Sequence, residues 1–255
     1  FKTYSPESMS KYSPLINAIE KGNSNIVKLL LSNQNIDINC KLIKTKKNNL
    51  VFDKTALYMA VEKQNVDIVK LLLSNPEIDV NTIITISMLE SSKTSKRTAI
   101  YEAVTKMNDE LVKLLISHPK IDVNIKTINT DSKTNSYSKK TALSTAVKRV
   151  LVTIVELLLS KPNIDVNFES FKSINNNEFV YKKSILYVAI ERKHETVIQG
   201  LLSNPNIDVN KKSYRISKFK NIGLKKSEKT ILFKAVEVQD LETVKLLLSK
   251  KNIDV

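Results

Sequence analysis

The sequence contains little cysteine, glycine or histidine and no tryptophan. Of its 255 residues, one is Cys, three are Gly and two are His, while 42% are hydrophobic and can form a core. The single cysteine, Cys40, excludes an internal disulfide framework and is typical of a reducing compartment. No apolar run approaches the roughly 18 residues that a membrane-spanning helix needs. We therefore expect an intracellular, cytoplasmic chain without a membrane span.

The same scarcity removes most catalytic and metal-binding chemistry. His118 and His194 stand in unrelated contexts, and no Cys/His cluster has the spacing of a zinc site. The sequence has neither a glycine-rich phosphate loop nor a recognisable Ser/His/Asp arrangement. We predict that the chain is not an enzyme and has no catalytic site, no metal and no cofactor.

What the sequence has in abundance is repetition. A short phrase opens six copies, as "SPL" at Ser13, "TAL" at Thr55, "TAI" at Thr98, "TAL" at Thr141, "SIL" at Ser184 and "TIL" at Thr230, spaced 42, 43, 43, 43 and 46 residues apart. A second phrase follows each opening, for example "DIVKLLLSNPEIDVN". A fixed period of this length indicates a repeat protein. The "IDVN" aspartates occur once per copy, so we interpret them as capping and turn residues rather than as metal ligands.

Each copy has the pattern of two short helices. The opening Thr or Ser can cap the first helix, and Leu57, Ala60 and Val61 then recur on one helical face. A polar break follows, and the apolar residues of "DIVKLLL" form the buried side of a second helix. Neither helix is long enough to be stable alone, so neighbouring copies must complete the core.

At these phrases the chain resembles the ankyrin-repeat family. Thr-Ala-Leu occupies the family's Thr-Pro-Leu-His position, and Ile-Val-Lys-Leu-Leu-Leu and Asp-Val-Asn follow in the family's order. The family's proline remains only at Pro14, and its inter-helix glycine only at Gly22. His194 stands at the family's inter-helix histidine position, which implies a capping role.

The resemblance implies an all-α repeat solenoid, with six stacked ankyrin-type helix pairs and long β-hairpin insertions between them. The expected copies span residues 11–54, 55–97, 98–140, 141–183, 184–229 and 230–255 of one solenoid. Phe1 is not an initiator methionine, and the last copy stops at "IDV" where earlier copies continue. We therefore expect this chain to be a fragment of a longer one.

The copies are longer than the ankyrin period of about 33 residues, and the excess falls between "DVN" and the next Thr or Ser. The resemblance implies that this segment forms a hairpin, so we predict long hairpins at 43–57, 83–97, 126–140, 168–182 and 211–228. "TIITISMLE" alternates as a strand does, and Asn175 to Asn177 supply a turn. The alternative is irregular loops, which the polar "NIKTINTDSKTNSYSKK" also fits.

The positive charge lies on these hairpin segments. The chain carries a net +15, and residues 211–229 alone hold seven Lys, one Arg and one Glu. Two interpretations remain open. The hairpins are simply solvated surface in a Lys-rich sequence, or they face an acidic partner. Lysines outnumber arginines, which favours attraction between point charges over base-specific recognition.

The favoured hypothesis is a non-catalytic protein–protein interaction scaffold that binds an acidic protein partner through basic hairpins and the adjoining concave face. The alternative is a structural component lying along a cytoskeletal or other large assembly. Non-specific nucleic-acid binding comes third. The sequence fixes neither the oligomeric state nor the partner's identity. The predicted partner-binding residues are Lys44, Lys46, Lys47, Phe171, Phe179, Tyr181, Lys211, Lys212, Tyr214, Arg215, Lys218, Phe219, Lys220, Lys225 and Lys226.

Overall fold

The computed structural model describes residues 13–46, 50–88, 92–175, 178–219 and 223–254. The chain divides into two compact units, Phe1–Asp122 and Val123–Val255. The described part of the first unit contains α1 (Pro14–Lys21), α2 (Ser24–Leu31), β1 (Lys41–Lys46), β2 (Leu50–Thr55), α3 (Ala56–Glu62), α4 (Val66–Leu73), β3 (Ile84–Met88), β4 (Lys93–Arg97), α5 (Ala99–Thr105) and α6 (Asp109–Ser117).

The second unit repeats this order of hairpins and helix pairs. Its described residues form β5 (Thr127–Asp131), β6 (Ser136–Lys140), α7 (Ala142–Arg149), α8 (Val152–Leu159), β7 (Glu169–Ile174), β8 (Phe179–Ser184), α9 (Ile185–Glu191), α10 (Glu195–Leu202), β9 (Ser213–Phe219), β10 (Gly223–Lys229), α11 (Ile231–Glu237) and α12 (Leu241–Leu248). The copy boundaries expected from the sequence remain a prediction.

The first helix of each copy starts where the sequence predicts. The side chains of Thr55, Thr98, Thr141, Ser184 and Thr230 each accept a hydrogen bond from the backbone N–H three residues later, which satisfies an orphan donor of the first turn. Ser13 makes no such bond, and Pro14 follows it at the first helical position. Leu57, Ala60 and Val61 are buried as their spacing predicts.

The second helix is capped by a different residue type. Asn23, Asn65, Asn108 and Asp240 accept from the N–H three residues later. His194 is the N-cap residue of α10 but makes no side-chain capping bond, and its buried Nδ1 has no partner among the described residues. The predicted capping role of this side chain is therefore wrong: His194 holds the N-cap position, but its ring makes no hydrogen bond to the first-turn amides.

The turn between the two helices requires a left-handed residue. Gly22 adopts φ 72° there without steric cost. In the next copies the same turn falls on Gln64 and Met107, at φ 56° and 57°, and later on Val150 at φ 62°. A side chain costs about 1 kcal/mol in this region, and a β-branched one is a genuine outlier. The helix packing of each copy therefore imposes the turn against local preference.

Asparagines of the "DIN" and "DVN" phrases join consecutive copies within each unit. Asn39 Nδ2 donates to the Glu77 carbonyl at 2.8 Å, and its Oδ1 accepts from the Asp79 N–H at 2.8 Å. The same pair of bonds recurs from Asn81 in the first unit and from Asn124, Asn167 and Asn210 in the second. Each bond contributes about 1 kcal/mol. The aspartates of the same phrases are turn residues as expected, since Asp79 Oδ1 accepts from the Asn81 N–H at 2.9 Å.

Strands from neighbouring hairpins also pair with each other. In the first unit β1, β2, β3 and β4 follow one another as antiparallel neighbours. In the second unit β5 to β10 do the same, with Lys139 opposite Phe171 between β6 and β7 and Tyr181 opposite Arg215 between β8 and β9. Each strand pair lies within two residues of a predicted hairpin.

The expected fold class, an all-α solenoid carrying β-hairpin insertions, is therefore wrong. The described residues form ten antiparallel strands beside twelve helices. An extended hairpin arm has a row of unpaired N–H and C=O groups on its outer edge. Within each unit, arms of similar length repeat from copy to copy, so the neighbouring hairpin satisfies those groups, and the hairpins form a sheet layer rather than separate projections.

Candidate partner-binding surface

A cavity of about 480 Å³ lies in the second unit between strands β8, β9 and β10 and helices α9 and α11. Tyr181, Arg215 and Ser227 stand directly opposite one another across the three strands, so their side chains share a face. Helices α9 and α11 begin directly after β8 and β10, at the N-caps Ser184 and Thr230. These two turns bring the helices over that face and enclose the cavity.

Ion pairs between hairpin and helix line one part of the cavity, which we call its base. Lys183 Nζ donates to both carboxylate oxygens of Glu191 at 2.7 Å. Glu237 accepts hydrogen bonds from Lys229 and, at 2.7 Å, from Lys234. Three lysine charges therefore meet two carboxylates in the folded chain.

These pairs set the titration of the groups around them. The hydrogen bond from Lys229, with a second from Lys234, lowers the pKa of Glu237 to about 2. The same Glu237 raises the pKa of Lys234. The ring of Tyr187 lies between Lys183 Nζ at 5.6 Å and Lys234 Nζ at 5.7 Å, and burial raises the pKa of its hydroxyl. At neutral pH Glu237 is therefore ionised, Lys234 is protonated and the Tyr187 hydroxyl is neutral.

Two further cations line the cavity without a carboxylate. Arg215 donates its Nε–H to Ser217 Oγ at 3.1 Å, and its guanidinium carbon lies 5.3 Å from the centre of the Tyr181 ring. Lys225 is exposed and stands directly opposite Ser217. Within the described ranges neither Arg215 nor Lys225 forms an ion pair. The cavity therefore has uncompensated positive charge beside an aromatic surface.

Comparison with known proteins identifies the fold. A family model described as "Ankyrin repeats (3 copies)" matches residues 3–84, 40–127 and 87–170, which together cover more than half of the chain. The chain belongs to the ankyrin-repeat family. A search of the curated proteins gave no match.

Two solved ankyrin-repeat structures illustrate the likeness. The crystal structure of the ankyrin repeat protein EF0377 matches at a TM-score of 0.58 and 17% identity, over 94% of this chain and 100% of that one. The ankyrin repeat domain of Bcl-3, a unique member of the IkappaB protein family, matches at a TM-score of 0.57 and 18% identity, over 96% of this chain and 88% of that one. At these identities the likeness concerns the fold.

The family also limits the chemistry. Ankyrin repeats generally mediate protein–protein interaction, and proteins built from them are typically non-catalytic. Within the part of the chain that the structure describes, no group of three or more His, Cys, Asp and Glu residues could hold a metal ion. No helix among the described residues is both long enough and apolar enough to cross a bilayer.

The structure brings four of the predicted binding residues of this ankyrin-repeat chain together at the cavity: Tyr181, Tyr214, Arg215 and Lys225. Other predicted cations of hairpin β9–β10 lie near carboxylates instead. Lys211 Nζ is 3.9 Å from Glu169 Oε2, and Lys226 Nζ is 2.5 Å from Glu228 Oε1.

The remaining predicted binding residues lie away from the cavity, or outside the residues that the structure describes. Lys218 is 3.7 Å from Glu178, and Lys212 is exposed on the same hairpin. Phe171 packs against Tyr137, with ring centroids 5.8 Å apart, and does not line the cavity. Phe179 is half-buried at the start of β8. For Lys44, Lys46 and Phe219 the structure describes the backbone, in β1 and β9, and Lys47 and Lys220 lie outside the described residues.

Sequence reasoning missed the residues at the base of the cavity. Lys183 directly precedes a helix N-cap, and Glu191 follows it by eight residues; Lys229 and Glu237 have the same spacing. The first unit repeats the pattern with Lys54 and Glu62, whose charged atoms are 2.7 Å apart. Because the eight-residue spacing spans a turn and a whole helix, no simple helical period reveals it. Its recurrence between copies is the signal that identifies these pairs.

Proposed function

We propose that this ankyrin-repeat chain is a non-catalytic scaffold that binds an acidic protein partner through the cavity and hairpin β9–β10. One observation carries the proposal: the cavity has more cations than carboxylates. Its charged lining consists of Lys183, Arg215, Lys225, Lys229 and Lys234 against Glu191 and Glu237. An acidic side chain entering the cavity would therefore meet a net positive field between protein walls, where charges are screened less than on an open surface.

Aromatic groups add contact area to the charge. Tyr181 lies under the guanidinium of Arg215, and Tyr187 lies between two lysines on the helix side. Arginine and tyrosine are the residue types that most often dominate the binding energy of an interface. We therefore assign most of the affinity to the cavity wall that Arg215, Tyr181 and Tyr187 form.

The lysines outside the cavity have a different effect. Lys211 and Lys218 lie near carboxylates, and Lys212 is exposed. Charges at the rim of an interface mainly change the association rate and its salt dependence. We assign these lysines to the encounter with the acidic partner and not to its retention.

Fluorescence anisotropy can test the proposal on the full chain. The probe is a labelled peptide of alternating Glu and Ala residues, and the neutral control probe is a Gln/Ala peptide of equal length. The acidic peptide should bind and the neutral one should not. The double variant Arg215→Gln/Lys225→Gln should weaken binding about tenfold, because it removes the uncompensated cations, and tenfold corresponds to about 1.4 kcal/mol.

The matched control is Lys212→Gln/Lys218→Gln, which removes the same charge from the same hairpin outside the cavity. It should weaken binding by less than about threefold and mainly reduce the salt dependence. Equal losses in the two double variants would show that the peptide follows overall charge and not the cavity. Undiminished binding by the cavity variant would remove the basis of the proposal.

A further inference from the structure

The two uncompensated cations of the cavity occupy opposite corners of a square on the sheet. Arg215 stands opposite Ser227, and Ser217 stands opposite Lys225, across the β9–β10 pair. All four residues line the cavity. In an antiparallel pair, such diagonal neighbours have backbones about 7–8 Å apart, within reach of long side chains. One group above the centre of the square can thus contact both cations and both hydroxyls.

The arginine is already oriented for such a contact. Its Nε–H is directed to Ser217 Oγ, and its guanidinium carbon lies 5.3 Å from the centre of the Tyr181 ring. The terminal NH₂ groups remain, and they form a planar fork that matches two oxygens of one anion. Ser217 Oγ accepts from Arg215, so its hydroxyl hydrogen can be donated to the same anion.

The charge of the square distinguishes between anions. The lysines at the base of the cavity are engaged by Glu191 and Glu237, whereas the square keeps two positive charges. A carboxylate or a phosphodiester carries one negative charge. A phosphomonoester carries about −1.5 to −2 at neutral pH and has three acceptor oxygens. The phosphomonoester therefore matches both the charge and the donors.

We infer that the square of Arg215, Ser217, Lys225 and Ser227 binds a phosphomonoester group carried by a phosphorylated side chain of the acidic partner. This inference rests on the proposed function, because the partner supplies the group. Arg215 holds two oxygens, Lys225 supplies the second charge, and the serine hydroxyls donate to the remaining acceptors. The site makes recognition depend on modification of the partner.

NMR titration of the full chain with small probes tests the inference. Phenyl phosphate is the dianionic probe, and phenyl sulfate is a monoanion of similar shape. We expect phenyl phosphate to bind at least about tenfold more tightly at pH 7.5. The preference should shrink as the pH falls through about 6, where the phosphate loses its second charge. Methyl phosphate in place of phenyl phosphate distinguishes an alkyl source, such as phosphoserine, from an aryl one.

Arg215→Lys is the decisive variant because it keeps the charge and removes the fork; it should weaken phenyl phosphate binding about tenfold. Lys245→Gln, which removes a charge from α12 away from the cavity lining, should leave phenyl phosphate binding unchanged. Equal affinity for sulfate and phosphate, or no effect of Arg215→Lys, overturns the inference. A thymidine oligonucleotide carries only phosphodiesters. If it competes for the site as well as phenyl phosphate does, the inference is also overturned.

The test separates this inference from the proposed function. If the Glu/Ala peptide binds at Arg215 and Lys225 but phenyl phosphate does not, the proposed function stands and the phosphomonoester site is overturned. If phenyl phosphate binds with the expected variant effects and the Glu/Ala peptide does not, the anion site is supported and the carboxylate-rich partner is overturned.

Discussion

The two arginines that lie in strands, Arg97 in the first unit and Arg215 in the second, share a local arrangement and differ in what they contact next. Each donates Nε–H to a serine two residues away, Arg97 to Ser95 at 2.7 Å and Arg215 to Ser217 at 3.1 Å. Arg97 then reaches Glu102 Oε2 with a terminal nitrogen at 3.3 Å. Arg215 has no carboxylate partner in the described part of the chain.

Glu102 explains the difference. Its side chain is only 7% exposed, and it accepts from the buried Tyr58 hydroxyl at 2.8 Å besides Arg97. Burial raises the pKa of Tyr58, so this hydroxyl remains a donor over the whole physiological range. A buried carboxylate ties the half-buried first arginine to the core, whereas the second lies near an aromatic ring at the wall of a cavity. Positive charge in a hairpin is therefore available to a partner only where the fold supplies no carboxylate for it.

The largest expected effect comes from removing the carboxylate in the first unit. Glu102→Ala leaves the buried Tyr58 hydroxyl and Arg97 without their acceptor, and we expect the free energy of unfolding to fall by about 2–3 kcal/mol. Urea denaturation followed by circular dichroism measures it. Glu110→Ala is the control, because it breaks an exposed pair with Lys70 and should cost less than about 1 kcal/mol. Similar losses of unfolding free energy in both variants would show that the buried hydrogen bonds of Glu102 contribute no more to stability than an exposed ion pair does.

A smaller effect should separate the arginines themselves. Arg97→Gln removes a charged hydrogen bond to a buried group, and we expect a loss of about 1–2 kcal/mol in the free energy of unfolding. Arg215→Gln changes an exposed side chain and should stay within about 0.5 kcal/mol. The same urea experiment compares the two variants. If Arg215→Gln destabilises the chain as much as Arg97→Gln does, both arginines stabilise the fold, and the contrast between a structural and a partner-binding arginine is wrong.

The smallest effect concerns the carboxylates of the cavity. Glu237→Gln frees Lys229 and Lys234, and we expect the Glu/Ala peptide to bind about two- to threefold more tightly, because the local field becomes more positive. Glu242→Gln is the control: Glu242 pairs with Lys245 on α12, away from the cavity lining. Unchanged or weaker peptide binding by Glu237→Gln would contradict the assigned charge balance.

The pH dependence of Glu237 follows from its lowered pKa. A carboxyl group whose folded pKa is lowered stabilises the fold above its unfolded pKa, and that stabilisation is lost as the pH falls through the folded value of about 2. The ion pairs with Lys229 and Lys234 therefore remain intact from pH 7 to pH 5. Carbon-detected NMR of the carboxyl groups should show Glu237 titrating well below the ordinary glutamate value of about 4.3.

The helices and the hairpin positions could be predicted because their signals are local. Thr55 caps a helix whose first apolar residues follow at helical spacing, and "TIITISMLE" alternates along a single strand. The pairing of one hairpin with the next could not be predicted from the sequence. A strand such as β8 has the same sequence pattern whether one or two neighbours bond to it, since the backbone that forms those bonds is common to all residues.

The same limit applies to the cavity. Arg215 and Lys225 belong to the most basic hairpin segment and Tyr181 to a hairpin rich in aromatic residues, so sequence alone predicts all three as binding residues. It could not show that Lys226 lies beside Glu228, or that Lys229 is engaged by Glu237 from the end of the following helix. Net charge counts side chains, whereas binding depends on which cations the fold leaves uncompensated.

The asparagine bonds between copies have a consequence for how such a chain changes over generations. Each asparagine recognises a carbonyl and an N–H of the following copy, and the accepting carbonyls belong to residues as different as Glu77, Lys120 and Asn163. Because only main-chain atoms are recognised, the bond does not depend on which copy comes next. Unequal recombination between copies can therefore duplicate, delete or reorder them in frame while every new junction keeps its two bonds.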